Sequence, residues 1–216
     1  MSNKVYLSFL LVFSFLLVST NSFAQKSEWK YIKNIDGIKI YHKKNGNLKD
    51  VKVETTFSAP MSNVVEALLD VSSFSKWIYK VKYSKIIKIV SPFQTIYYNQ
   101  IDMPWPSKDR DLVALNTVKQ DPKTKVVVSE DIVNSSDFPK YDDFIRIKDF
   151  YAKWTFTPTD KGVAGEYIFH SDPGGDLPDA LINLLIDEGP VNSIKAFKKL
   201  INDKKYQYTN SRKILN

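Results

Sequence analysis

The sequence predicts an α+β fold in which an antiparallel sheet is covered by a long C-terminal helix, and two features carry that prediction. The first is segment 167–190, YIFHSDPGGDLPDALINLLIDEGP, where a strand, a sharp turn and an amphipathic helix follow within a few residues. The second is a series of short runs between residues 37 and 169, set apart by Asn, Asp, Gly or Pro, which reads as a meander of about eight strands.

Each element has a local cause. Residues 37–43 (GIKIYHK) and 50–57 (DVKVETTF) alternate apolar with polar side chains, and Asn45-Gly46-Asn47 between them has the composition of a hairpin turn. Pro60 opens a helical stretch with Val64, Val65, Leu68 and Leu69 on one side, and residues 71–78 follow as a short helix or turn carrying Phe74 and Trp77. Strands are expected at 84–90, 95–103, 111–119, 126–133, 145–156 and 164–169. In the last of these, Tyr167, Phe169 and Ser171 fall on the face opposite to Ile168 and His170. Asp172-Pro173-Gly174-Gly175 then breaks the strand. Asp176 is placed to cap a helix, Pro178 suits its first turn, and Leu177, Leu181, Leu184, Leu185, Ile194, Phe197 and Ile201 recur at helical spacing. Gly189-Pro190 is expected to kink or break this helix and leave 177–188 as a shorter segment able to tilt.

Several strands are apolar on both faces, notably 112–115, 126–128 and the run containing Phe150, Tyr151, Trp154 and Phe156. Full burial of both faces explains this, and so does a curved sheet whose inner face lines a cavity.

Three motifs, taken together and in this order, are specific: PWPSKDRDLV at 104–113, FIRIKDFYAKWTFTP at 144–158 and YIFHSDPGGDLPDALIN at 167–183. This set resembles the START family of lipid-transfer domains over about residues 29–203. The resemblance implies a helix-grip fold: a curved antiparallel β-sheet wrapped around a long C-terminal α-helix, with an internal hydrophobic tunnel that holds one lipid or similar molecule. A carrier of this kind needs enclosure. Each methylene returned to water costs roughly 0.8 kcal/mol, so a chain of about fifteen carbons exposed in transit would cost on the order of 12 kcal/mol.

The first residues read as an export signal, 1–24, with Lys4, an apolar run from Val5 to Val18, and Ser22-Phe23-Ala24 as a cleavage site. An uncleaved anchor is the competing reading, although the apolar run is shorter than the roughly 20 residues that span a bilayer. Cleavage would put the mature protein in a periplasm or outside the cell. Without cysteine, neither disulfides nor a lipoprotein anchor are available. One START-like domain, 25–203, and a basic tail, 204–216, are expected. The formal net charge is +7, falling to +6 with the loss of Lys4, and lysines gather near both ends. Such a surface suits transient contact with an anionic membrane, and equally a merely solvated exterior; the lysines lack the Arg-aromatic interleaving of a nucleic-acid groove. A monomer is expected.

Polar residues on inward faces would select the ligand: Tyr97, Asn99, Arg110, Asn116, Arg146, Trp154 and His170 are the candidates, with Glu130, Asp131 and Glu166 in comparable surroundings. For Arg110 and Arg146 a structural ion pair with Asp111, Asp142 or Glu130 is the alternative. Trp105, bracketed by prolines, and Leu181, Leu184 and Leu185 on the helix are the candidate gate; a packed Trp on a rigid kinked helix is the alternative. Sterol-type members of the family pair an acid with an arginine in the tunnel. The corresponding positions here, near Tyr97 and Asn116, are uncharged, so the ligand class stays open.

Signals for catalysis are sparse. His42, on an exposed hairpin, and His170, at a strand end, are the conventional near-neutral bases, and no cluster has metal-ligand spacing. No cofactor is implied. A broader group of folds similar to the one the resemblance implies includes cyclases that shape a polyketide in such a tunnel, so an enzyme is the second reading and a non-catalytic binding scaffold the third.

Overall fold

The computed structural model describes residues 29–134 and 138–216; the expected export signal lies outside them. Among the described residues the strands are β1 (Lys30–Ile35), β2 (Ile38–Asn45), β3 (Leu48–Phe57), β4 (Val81–Ser91), β5 (Gln94–Ile101), β6 (Asp109–Gln120), β7 (Val127–Val133), β8 (Phe144–Arg146), β9 (Asp149–Thr159) and β10 (Gly162–Asp172). The helices are α1 (Met61–Leu68), α2 (Phe74–Trp77), α3 (Asp179–Leu200) and α4 (Lys204–Gln207).

One sheet runs in the order β1-β2-β3-β10-β9-β7-β6-β5-β4, every pair antiparallel, with β8 added in parallel against β6. Returning β10 to lie beside β3 joins the first three strands to the last and gives the sheet one inner face, which α3 covers. The curved antiparallel sheet with its C-terminal helix is the architecture expected above.

Three local expectations differ from the structure. Residues 145–156 form two strands rather than one, because Arg146 is drawn to β6 by Asp111 and the Ile147 N–H donates to the Asp111 carbonyl before the chain crosses to β7. The helix begins at Asp179 with Pro178 before it and no side-chain cap, so Asp176 does not cap it. Finally, Gly189-Pro190 does not break the helix: α3 continues through it to Leu200. A proline costs a helix interior one hydrogen bond, here the one that the Ile186 carbonyl would accept. Burial of Gly189, Pro190 and Val191 against the body of the protein offsets that loss.

The turn into α3 is built as its composition requires. Gly174 and Gly175 have φ of +63° and +69°, the left-handed region that other residues resist, and the Asp172 carboxylate accepts from the Gly174 N–H at 2.8 Å. Beneath the C-terminal half of α3 lies an aromatic layer: Phe197 meets Trp77 at 4.7 Å and Phe57 at 5.6 Å between ring centroids, and Trp154 stacks on Phe156 at 5.0 Å. Gly165 makes room for it, since a Cβ there would stand 2.7 Å from the Phe57 ring.

Residues 204–216, expected as a basic tail, belong to the same folded body. Tyr206 and Ile214 are buried, Arg212 pairs with Glu66 of α1 at 2.7 Å, and the Asn216 side-chain oxygen accepts from the Ser62 N–H.

Candidate functional site: an apolar cavity beneath the C-terminal helix

Between the inner face of the sheet and the first half of α3 is a cavity of about 220 Å³. Its sheet wall comprises Leu112, Phe150, Trp154, Tyr167 and Phe169; its helix wall comprises Ile182, Leu185 and Ile186. Met103, Tyr79 and Lys80 border one end, close to the loop between β5 and β6. Most of this surface is apolar; Ser171, Ser193 and Lys80 are among the polar residues that line it. Lys80 is drawn outward by Asp102 at 3.2 Å, and the Ser193 hydroxyl accepts from the Tyr79 N–H at 2.9 Å. Such a space can hold a hydrocarbon and offers no nucleophile activated by a neighbouring base.

Of the expected ligand-contacting residues, Trp154 borders the cavity. Tyr97, Asn99 and Asn116 are buried on the same inner face, on β5 and β6, but stand back from the wall. Asn116 donates to Ser129 at 2.8 Å and to the Asp131 carboxylate at 3.1 Å. Tyr97 is near enough to Asp131 to favour its ionised form. Burial pushes the Asp131 carboxyl up to about 6, although Tyr97 and Asn116 favour its ionised form.

The two arginines have structural partners. Arg146 grips Asp111 through two bonds of 2.7 and 2.8 Å and donates to the Pro139 carbonyl, one of the ion pairs anticipated from the sequence. For Arg110 the anticipated acids are replaced by carbonyls. Its guanidinium donates to Pro173 at 3.0 Å, to Gly174 at 2.6 Å and to Lys108, tying β6 to the turn that launches α3. Burial lowers its pKa, with Asp109 opposing. Neither arginine borders the cavity.

His170 is on the outer face, as its alternation with Phe169 and Ser171 requires. Its Nδ1 lies 2.8 Å from Asp50 and its Nε2 3.2 Å from Asp149, so it clamps β10 to both neighbours. Burial disfavours its charge, but the bonds to Asp149 and Asp50 prevail and raise its pKa. His42 is not the exposed hairpin residue expected. Its side chain is 11% exposed beneath α3, with Nε2 3.4 Å from Asp187, and burial lowers its pKa although Asp187 opposes.

Among the expected gate residues, Leu185 forms part of the cavity wall, Leu181 is half-buried and Leu184 faces solvent. Trp105 is 92% exposed at the tip of the β5–β6 loop. Sequence reasoning did not assign Tyr167, Phe169, Ile182 and Ile186 to the site. The signal was present: Tyr167 and Phe169 share the strand face that Trp154 joins in register, and Ile182 and Ile186 sit one turn apart on the helix.

Comparison with known proteins bears on most of the chain. The START domain model matches residues 18–206. An uncharacterized protein of Pseudomonas aeruginosa is 26% identical over 184 residues, covering 84% of this chain and 89% of that one. The phosphatidylcholine transfer protein of Mus musculus is 23% identical over 180 residues, 80% of this chain and 83% of that one. A solved STAR-related lipid transfer protein from Xanthomonas axonopodis superposes with a TM-score of 0.75 at 26% identity, covering 82% of this chain and 99% of that one. Human STARD10 superposes at 0.72 with 17% identity, covering 82% of this chain and 74% of that one, a likeness of fold. The chain belongs to the START domain family.

Proposed function

We propose that the protein binds a single lipid or similar apolar molecule in the cavity beneath α3 and carries it between membranes after export to a periplasm or the cell exterior. The observation that carries this reading is the cavity wall, apolar on both sheet and helix sides and closed by half a helix. At about 220 Å³ the space is smaller than the roughly 300–1,000 Å³ of ordinary ligand pockets, so loading requires the first half of α3 to lift. Exposed lysines supply attraction to an anionic membrane surface, roughly 1 kcal/mol each when close to it. Carriage as a monomer, without cofactor or catalysis, completes the reading.

A cyclase would need a base at the ligand, and neither His42 nor His170 borders the cavity. The test is to purify mature protein, residues 25–216, from its native host, extract it with organic solvent and identify what is released by mass spectrometry. One intact apolar molecule per protein is expected. A cyclised product would shift the assignment to the enzyme, and the absence of any apolar molecule would favour the scaffold.

A further inference from the structure

The end of the sheet far from the Trp105 loop is both apolar and basic. β4 is an edge strand. Its first residue, Val81, pairs with Ile101, which borders the cavity near Lys80 and Met103. At the other end of the strand Ser91 pairs with Gln94, on the order of 30 Å away. Three pieces of chain meet there: the β4–β5 turn, the β6–β7 turn and the C-terminal segment. The Val118 N–H donates to the Phe93 carbonyl at 2.9 Å, and Arg212 donates to the Pro92 carbonyl at 3.2 Å. Gln120 both donates to and accepts from the Leu215 backbone at 2.8 Å.

Ile89 is 66%, Val90 47% and Phe93 41% exposed, and Leu215 is exposed at the same end. Single apolar side chains on a surface need no explanation, but a cluster of them marks an interaction site. Segments 85–93, 119–125 and 209–216 hold seven lysines and arginines against one acid, Asp121. The Asp121 carboxylate is turned to the backbone N–H groups of Lys123 and Thr124. Arg212 is paired with Glu66, whereas Lys88, Lys119, Lys123 and Lys213 are exposed and make no ion pair among the described residues. The occupant is therefore anionic and apolar.

The backbone of β4 argues against another strand in that role. Its register against β5 shifts between Ile86 and Lys88 and again between Ile89 and Ser91. Such bulges deny a partner strand the regular ladder that it needs. They also leave Ile86 and Ile87, then Ile89 and Val90, exposed in adjacent pairs. A second copy of the chain would bring lysine against lysine. A fluid surface needs no ladder and supplies the missing negative charge.

We propose that this end is a second docking surface, for an anionic lipid membrane, with Ile89, Val90 and Phe93 entering the interface and Lys88, Lys123 and Lys213 meeting lipid phosphates. Apolar side chains gain by leaving water there, and lysines reach the head groups along their own apolar stems. The use of the surface rests on the carrier reading. Held by this end, the protein keeps the Trp105 loop and the cavity directed away from the first membrane and towards another.

The chain has no cysteine, so Val90→Cys gives a single attachment point for an environment-sensitive dye. The labelled mature protein is mixed with phosphatidylcholine vesicles made with and without phosphatidylglycerol. The dye is expected to brighten and shift to the blue only with phosphatidylglycerol. Replacing Lys88, Lys123 and Lys213 together by Gln should weaken that response about a hundredfold, roughly fivefold per lysine. Phe93→Ser should weaken it about tenfold, and an unchanged urea midpoint reports that both variants are folded. A dye that stays in water while the protein sediments with the anionic vesicles overturns the assignment. An equal response to soluble polyglutamate gives the end to an acidic protein and also overturns it, as does a response to protein concentration alone, the mark of paired copies. Docking needs no cargo, so the two readings fail separately. A dye response without transfer of labelled lipid between vesicles removes the carrier and keeps the surface, and transfer without a dye response does the reverse.

Discussion

The two halves of α3 belong to one unbroken helix and are held by different forces. In the second half Val191, Ile194 and Phe197 are almost wholly buried, with Ile201 just beyond, over the layer of Phe57, Trp77 and Trp154. In the first half Ile186 is buried, Leu184 is 41% exposed, and the cavity lies underneath. What fastens that half to the sheet includes polar contacts with the β2–β3 hairpin: Lys49 donates to Asn183 at 2.7 Å, and His42 lies 3.4 Å from Asp187. Apolar burial locks one half, while the other is held in part by the exposed Lys49–Asn183 bond, worth at most about 1 kcal/mol, and by the approach of the buried His42 to Asp187. Local opening should therefore begin in the first half, with Pro190 at the junction and the Ile186 carbonyl already short of a donor.

The largest expected effect follows from substituting one residue in each half. Phe197→Ala should cost about 3–5 kcal/mol, because the ring it removes touches three aromatic neighbours that cannot all collapse into the space. Leu185→Ala enlarges a space that already exists and should cost about 1–2 kcal/mol. Urea unfolding followed by tryptophan fluorescence measures both. Equal losses would mean that the halves are held alike and would remove the gate from the first of them.

A smaller effect should be confined to the first half. Replacing Lys49 and Asp187 together by Ala should change global stability by no more than about 1 kcal/mol, yet speed hydrogen exchange in 181–188 and leave 191–200 protected. Exchange that rises equally along the helix would contradict the division. The buried histidine adds a pH signature. Burial sets the His42 pKa below its unfolded value, so its contribution is complete above about pH 6.5 and is lost as pH falls towards the folded value. His170, with its pKa raised, has the opposite sign: it stabilises at low pH, and that stabilisation disappears as pH rises through its folded pKa. Denaturation midpoints at about pH 5 and pH 8 for His42→Gln and His170→Gln should move in opposite directions relative to the parent.

How much of this was legible in the sequence depended on whether the determinant was local. The strand faces were: Tyr167, Phe169 and Ser171 turn inward and His170 outward, as period-two alternation demands. So was the glycine turn into α3, whose left-handed angles only its composition makes easy. Long-range partners were not. Nothing near His42 in the sequence announces that Asp187 lies above it, and Arg110, Asp109 and Asp111 as neighbours suggest an ion pair where the fold supplies three carbonyls. The continuous helix at Pro190 was missed for the same reason, because the burial that compensates for a lost hydrogen bond comes from Tyr79 and the rest of the body. Asp131 was placed among apolar neighbours without a role. Its meeting with Tyr97 depends on β5 and β7 flanking β6, a matter of topology rather than of residue type.

The smallest effect on stability should accompany a large one on function. Trp105 is 92% exposed between two prolines on the β5–β6 loop, beside the end of the cavity bordered by Met103 and Lys80. In water its ring contributes little to folding, so Trp105→Ala should leave the urea midpoint unchanged within about 0.5 kcal/mol. At a membrane the same ring can enter the interface, where tryptophan is favoured. Burying a large apolar side chain is worth about 1.5–3 kcal/mol, so its loss should slow transfer of labelled lipid between vesicles about tenfold or more. Because the ring stands outside the cavity, the amount of ligand bound at equilibrium should not change. A variant that transfers at the parental rate would take the docking role away from this loop and leave α3 as the moving part. One that binds less ligand would mean that the loop shapes the cavity rather than the approach to it.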